Sequence, residues 1–335
     1  MSDPRPRAAK IILEELREYP ELQITEADLW WTEDDKIIYP IGDNNFVKGL
    51  LSLLAPVIPF TTKLYHYIPL EHGMFALWNK CIRMYFLEKY FAEDPDEYSG
   101  LLDGLNIPEE VTFGGEKYSR STEEVRRNSY IFSTTDSSDN EFLWSKSTEG
   151  AAQICLEVQI EPLPDSHLPE ILRDLSFFEL RKVNYERRIE CLNRIYDRIQ
   201  RALGYKFVFS GIIHLALHTK GEEFIPEREH RFGVNDYYLQ NLGRSLSTPE
   251  LAAFGAGPSS DQPGLVHVSF PLIGLEEDRH EYPDDDIRTH LKKRYLFTFR
   301  LSKIIVDENI SREELAKLRA YAERFDPSVP IEKRK

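Results

Sequence analysis

Apolar residues recur at Ile189, Leu192, Ile195, Ile199 and Leu203, three or four positions apart, and this spacing predicts an amphipathic helix over 186–203. A second helix is expected over 8–19. Another is announced by Thr25 with Asp28 three residues later, a variant of the capping box, and one more covers 44–54. Ser311 followed by Glu314 is a clean capping box opening a last helix over 312–324. Elsewhere the texture is that of strands, expected at 36–39, 62–69, 82–87, 129–134, 153–160, 175–183 and 295–306, with a helix over 70–80. The stretch 207–220, FVFSGIIHLALHTK, fits either a buried helix or a strand, and 242–264, rich in Ser, Gly, Pro and Ala, reads as a long loop.

One segment departs from both patterns. FIPEREHRFGV, 224–234, has apolar ends and five ionisable residues at its centre. As a strand it would set Glu227, Glu229 and Arg231 on one face and Arg228, His230 and Phe232 on the other. As a helix beginning at Pro226 it would pair Glu227 with Arg231, but Gly233 arrives after two turns, so a strand is expected. Strands interleaved with short helices, joined by irregular connections, predict an α+β fold with a mixed sheet core and surrounding helices. A helical N-terminal block, 1–58, would precede the α+β domain, 59–325, and a tail, 326–335, would follow it.

The chain has 335 residues, a hydrophobic share of 41 % and an aromatic share of 12 %, which together describe a folded globule. Its net charge of −15 opposes nucleic acid or an anionic membrane as a general partner. The one basic stretch that opposes this balance is 181–201, with Arg181, Lys182, Arg187, Arg188, Arg194, Arg198 and Arg201, either a solvated helix face or an anion site. Cys81, Cys155 and Cys191 have no metal-ligand spacing, and an odd number of cysteines fits a reducing cytoplasm. The longest apolar run, GLLSLLAPVIPF at 49–60, is too short to span a bilayer and is broken by Pro56 and Pro59, so a cytoplasmic protein is expected. No G-x-G-x-x-G, P-loop, G-x-S-x-G or H-E-x-x-H motif is present, and no metal is expected.

Four stretches carry polar residues that a plain core does not need. In Tyr65-His66-Tyr67 an imidazole between two phenols offers donors to a ribose or phosphate, or is a half-buried, hydrogen-bonded histidine. Glu93-Asp94-Pro95-Asp96-Glu97 is a turn or helix cap, or part of a polar site. In 132–147, Ser133 ends a strand, and Asp139 and Asn140 can cap a helix that carries Trp144 inward. Such a helix start is a seat for an anion or simply a cap. The last stretch is 224–234. There Glu227 and Glu229 beside Arg231 form an acid/base or oxocarbenium-stabilising group, or an edge strand blunted by charge.

Taken in order, these stretches resemble a bacterial family of unassigned function, numbered 2971 among the domains of unknown function. The matching residues are Leu64-Tyr65-His66-Tyr67, Asp94-Pro95 with Glu97, Ser133, Asp139-Asn140, Trp144 and Cys155. Lys220 with Glu227, Glu229 and Arg231 follows, and Ile304-Ile305 before the helix at 312 closes the series, so that 62–325 is covered. The chain reads as a divergent member. His66 stands where lysine is commoner, Glu93 replaces an asparagine, Ser147 a tyrosine and Asp307 a glycine, and Ala151 and Gln153 take the positions of a histidine and a glycine.

The family's layout in turn resembles the ADP-ribosyltransferase arrangement, in which a first-strand residue holds the NAD ribose, a second-strand serine follows and a late strand carries a catalytic glutamate. That resemblance implies an enzyme using NAD as substrate, with Glu229 catalytic, His66 and Tyr67 orienting the ribose, Ser133 at the strand junction, Glu227 and Arg231 tuning the carboxylate, and Asp94 and Trp144 in the substrate site. It implies a toxin or phage-defence setting. The alternative from another class is a non-catalytic module that binds a nucleotide, a small molecule or a protein, in which the charged strand is a structural ion network and the N-terminal block recruits a partner.

Overall fold

Where the hydrophobic period is two, the chain pairs into sheets; where it is three to four, it coils. The computed structural model describes residues 3–41, 45–86, 110–113, 116–119, 130–146, 153–163, 178–185, 190–209, 212–234, 257–258, 266–275 and 297–334. The elements begin with α1 (Arg5–Glu15), β1 (Leu29–Thr32), β2 (Ile37–Pro40) and α2 (Asn45–Leu54). Then come β3 (Leu64–Pro69), α3 (Leu70–Asn79), β4 (Cys81–Phe86), β5 (Glu110–Phe113), β6 (Glu116–Ser119), β7 (Tyr130–Thr135) and α4 (Glu141–Ser145). They continue with β8 (Gln153–Pro162), β9 (Phe178–Lys182), α5 (Glu190–Leu203), β10 (Lys206–Phe207) and α6 (Ile212–Leu217). The series closes with β11 (Glu229–Val234), β12 (Gly257–Pro258), β13 (Val266–Ile273), β14 (Phe297–Val306), α7 (Arg312–Phe325) and β15 (Ile331–Lys333). The fold is α+β, as the pattern of elements predicts.

The chain divides into two units. The first joins Met1–Val57, Glu88–Arg127 and Arg181–Phe224, and the second joins Ile58–Leu87, Asn128–Leu180 and Ile225–Lys335. The N-terminal segment therefore shares its unit with residues distant in sequence. Besides α1 and α2 it contributes a hairpin: the expected capping box at Thr25 forms, but it starts a single 3-10 turn, Glu26–Asp28, and not a longer helix. Trp30, Trp31 and Thr32 follow at once, residue types that favour a strand, and β1 pairs with β2. β10 extends this sheet in parallel with β2. The buried stripe of α5, Leu192, Ile195 and Ile199, belongs to this unit's core with Ala8, Ala9, Ile11 and Ile12 of α1. Ile189 of the expected stripe lies outside the described residues.

In the second unit, the described strands form a sheet in the order β12-β13-β14-β8-β3-β7-β11-β9, with β15 against β14 and β4 against both β13 and β7. The pairings close on themselves: β4 joins β7, β7 joins β3, β3 joins β8, β8 joins β14, β14 joins β13, and β13 returns to β4. A sheet closed in this way leaves no open edge within the ring. Its apolar filling includes Met84, Phe132, Leu156, Val158, Phe232, Phe270, Phe297, Phe299 and Leu301, packed against Leu77 of α3 and Leu318 and Phe325 of α7. Gly73 lets α3 approach the sheet closely, since a Cβ there would meet Ile154 Cδ1 at 2.2 Å. The tail is part of the fold, because β15 runs parallel to β14. Most of the loop expected over 242–264 lies outside the described residues.

Candidate functional site

Register decides which of the singled-out residues share a face. β3, β7 and β11 are neighbours in that order. Tyr65 opposes Thr135, Glu229 opposes Thr135, and Arg231 opposes Ser133. Opposing residues share a face and successive ones alternate. One face therefore carries Tyr65, Tyr67, Ser133, Glu229 and Arg231, together with Cys155 and Glu157 of β8; the other carries His66, Phe132, Thr134, His230, Phe232 and Leu156.

On the first face Glu229 is saturated. Its Oε1 accepts from Ser133 Oγ at 2.5 Å and from Arg231 Nε at 2.7 Å, and its Oε2 accepts from Arg231 Nη2 at 3.2 Å. The pair is deep, with side-chain exposures of 5 % for Glu229 and 1 % for Arg231. Glu227 is not in line with them, which corrects the expected strand face shared by Glu227, Glu229 and Arg231. Residues Glu222–Glu227 form a 3-10 turn around Pro226, Arg228 takes φ 52° in the left-handed region, and alternation begins only at Glu229. Glu227 turns instead to Lys146, whose Nζ lies 2.5 Å from its Oε1, and Arg228 pairs with Asp136 at 2.7 Å.

The remaining polar residues on this side hold the turn. Asn140 caps α4 by accepting from Leu143 N at 3.1 Å, and its Nδ2 donates to Pro226 O and Glu227 O at 2.9 and 3.0 Å. Tyr67 donates from its hydroxyl to Ser137 O at 3.0 Å and accepts from Asn140 N at 3.1 Å. Trp144 donates to Ser138 O at 2.9 Å and stands edge-on to Tyr67 at 5.0 Å. Burial pushes both the Tyr67 phenol and the Cys155 thiol up, so neither is ionised at neutral pH. The expected anion seat at the start of α4 is thus occupied by protein groups, and α4 is a five-residue cap.

His66 lies on the other face. Its Nδ1 donates to the backbone oxygen of Ser133 at 2.8 Å, and its ring packs on Phe132 at 4.3 Å. Burial holds the imidazole down at about 4, with a further push from the like charge at His72. The expectation of one cleft shared by His66, Ser133 and Glu229 is corrected here. The three meet along adjacent strands, but Ser133 offers its backbone to His66 and its hydroxyl to Glu229, on opposite faces. Asp94 lies outside the described residues.

A cavity of about 320 Å³ lies beside His66, lined by His66, Ile68, Glu71, His72, Phe75, Ala76, Cys81, Ile82, Arg83 and Tyr85. The sequence reading missed all of these but His66. A sign was available in CIRMYF, where Arg83 interrupts an apolar strand at a position that alternates with Ile82 and Met84.

Several arginines of the basic stretch 181–201 find partners within the first unit. Arg181 is buried and donates to Ala55 O at 2.7 Å, Arg194 reaches Glu15 at 2.6 Å, and Arg198 reaches Glu14 and Glu15 at 2.5 and 2.6 Å. Arg187 and Arg188 lie outside the described residues. Among the described residues no group of three or more His, Cys, Asp or Glu is placed to hold a metal ion, and no helix is long and apolar enough to cross a membrane. No family model, curated protein or solved structure matches this chain.

Proposed function

We propose that this chain is a cytoplasmic, divergent member of the unknown-function family numbered 2971, and that its second unit is a binding module for a nucleotide or small molecule without turnover. The observation that supports this reading is the saturation of Glu229. A carboxylate that stabilises an oxocarbenium-like transition state must face its substrate, whereas both oxygens of Glu229 are held by Arg231 and Ser133 below the surface. The pair then acts as an internal strut between β7 and β11, and Tyr67, Asn140, Trp144, Glu227 and Lys146 brace the turn that leads into it. The first unit is left to engage a protein partner.

The adjacency of β3, β7 and β11, with Ser133 bonded to Glu229, favours a second reading: an ADP-ribosyltransferase-like enzyme using NAD. In it Arg231 would release Glu229 when substrate enters. Labelled NAD incubated with the protein and a cell extract separates the two. The module reading expects saturable nucleotide binding with no labelled product. Label transfer that disappears in a folded Glu229→Gln variant would establish the enzyme instead.

A further inference from the structure

Two hollows lie along α1 in the first unit. One, of about 510 Å³, is lined by Arg7, Lys10 and Ile11 of α1 and by Arg198, Arg201 and Ala202 of α5. The other, of about 1000 Å³, takes in Ala9, Lys10, Leu13 and Arg17, with Arg194 and Arg198 of α5. Lys10, Glu14 and Arg198 line both, so the two form one groove. From Arg7 to Arg17 it runs roughly 15 Å at the helical rise, the length of about five residues of extended chain.

The charges on this groove divide into those that are held and those that are not. Glu14 and Glu15 are taken by Arg198 and Arg194, and Arg201 reaches Asp197 at 3.2 Å. Lys10 Nζ lies 4.0 Å from Glu14 Oε1, on a carboxylate that Arg198 already holds at 2.5 Å. Arg7 gives one N–H to the Ala202 carbonyl at 3.3 Å, a neutral acceptor that leaves its charge uncancelled. Arg17 is exposed and has no ion pair among the described residues. Against these three cations, Glu18 is the one lining carboxylate without an ion pair among the described residues. In a chain of net charge −15, a local surplus of this kind selects and orients an acidic partner. Leu13 and Ala202 add apolar surface between the charges.

We propose that this groove docks an acidic peptide segment of a partner protein. Its carboxylates meet Arg7, Lys10 and Arg17, and its apolar side chains lie against Leu13 and Ala202. The proposal rests on the reading of the first unit as the one that engages a protein, and names the chemistry of that protein. Nucleic acid fits the groove less well, because its phosphates continue past it onto a molecule of net negative charge.

Fluorescence anisotropy of the full chain tests this, with a labelled peptide of glutamates interrupted by leucines and, separately, a labelled single-stranded oligonucleotide. The variants are Arg7→Glu/Arg17→Glu in the groove and, as a control with the same change of charge, Arg312→Glu/Arg319→Glu on α7. These positions are exposed, so both variants are expected to fold, which circular dichroism checks. The peptide is expected to bind the parent and the control alike, and to bind Arg7→Glu/Arg17→Glu roughly tenfold or more weakly. Its affinity for the parent is expected to fall as salt is raised. Equal weakening in both variants would mean attraction by bulk charge alone and overturns the groove. Peptide binding that neither variant changes also overturns it, while the reading of a protein-engaging unit stands. Tighter binding of the oligonucleotide, lost in Arg7→Glu/Arg17→Glu, overturns the peptide as occupant. No binding of the peptide by the parent overturns the groove and takes the protein-engaging reading with it.

Discussion

The chain uses the carboxylate–guanidinium pair at two depths. Between α1 and α5, Arg194 and Arg198 reach Glu14 and Glu15 with side chains that remain 49 % and 38 % exposed for the arginines. On β11, Glu229 and Arg231 make contacts of similar length at exposures of 5 % and 1 %. In the first setting water and salt screen the charges, and a pair is worth about 0.2–1 kcal/mol. In the second, removal of one partner strands the other in the interior, which costs about 3–5 kcal/mol even though the intact pair adds little net stability. Similar distances therefore imply different roles, and depth, more than geometry, separates decoration from a strut.

The strongest way to break this contrast is Arg231→Ala. It removes the guanidinium from the buried Glu229, and should cost about 3–5 kcal/mol, read from denaturant midpoints. A loss under about 1 kcal/mol would put the buried pair on a par with the surface one.

A pH series sharpens the picture from the opposite face. His66 takes up its proton at about 4 in the folded chain, against about 6.5 when unfolded. Between those values the unfolded chain binds more protons, so stability falls as pH is lowered through that window and falls no further from this group below about 4. The expected loss is on the order of 3 kcal/mol, and His66→Asn should abolish that slope. What remains below about pH 4.5 belongs to carboxylates such as Glu157. Burial alone would raise that group, but hydrogen bonds from Lys63 and Ser302 hold it low.

Glu229→Gln comes next. It keeps a hydrogen-bond acceptor for Arg231 but removes the charge, and should cost about 1–2 kcal/mol in thermal melts if Glu229 is a strut. An unchanged or raised melting temperature would instead mark a carboxylate held at a stability cost for chemistry. The smallest effect belongs to Arg198→Ala, about 0.2–1 kcal/mol, shrinking further in high salt. A larger loss that salt does not diminish would show that the α1–α5 pairs are structural after all.

The elements legible in the sequence were those whose signals are local. The stripe Leu192, Ile195 and Ile199 buries as its spacing predicts, and Ser311 with Glu314 forms both bonds of its capping box. The strands β3, β7 and β11 and their common sheet could be anticipated because each carried a polar residue in an apolar run. What stayed hidden depends on distant partners or on one dihedral angle. The positive φ of Arg228 shifts the start of β11 and so sends Glu227 to Lys146, and no period in 224–234 signals it. Arg194 and Arg198 looked available for an anion because Glu14 and Glu15, their partners, lie far away in the chain. The face on which His66 lies relative to Glu229 follows from pairing registers, which alternation within one strand cannot reveal.

The closed ring of strands sets the timing of assembly. β14 stands between β13 and β8, and β8 stands between β14 and β3, so the ring is incomplete until residue 306 has been made. Until then β8 and β3, paired across nearly ninety residues, present an unmatched border of backbone amides and carbonyls. Loop closures of this reach are slow, and the waiting border is open to other chains. The second unit is therefore expected to mature late and to need protection while it waits. Translation or refolding halted between β13 and β14 should yield a protease-sensitive, association-prone species that gains resistance once β14 is added.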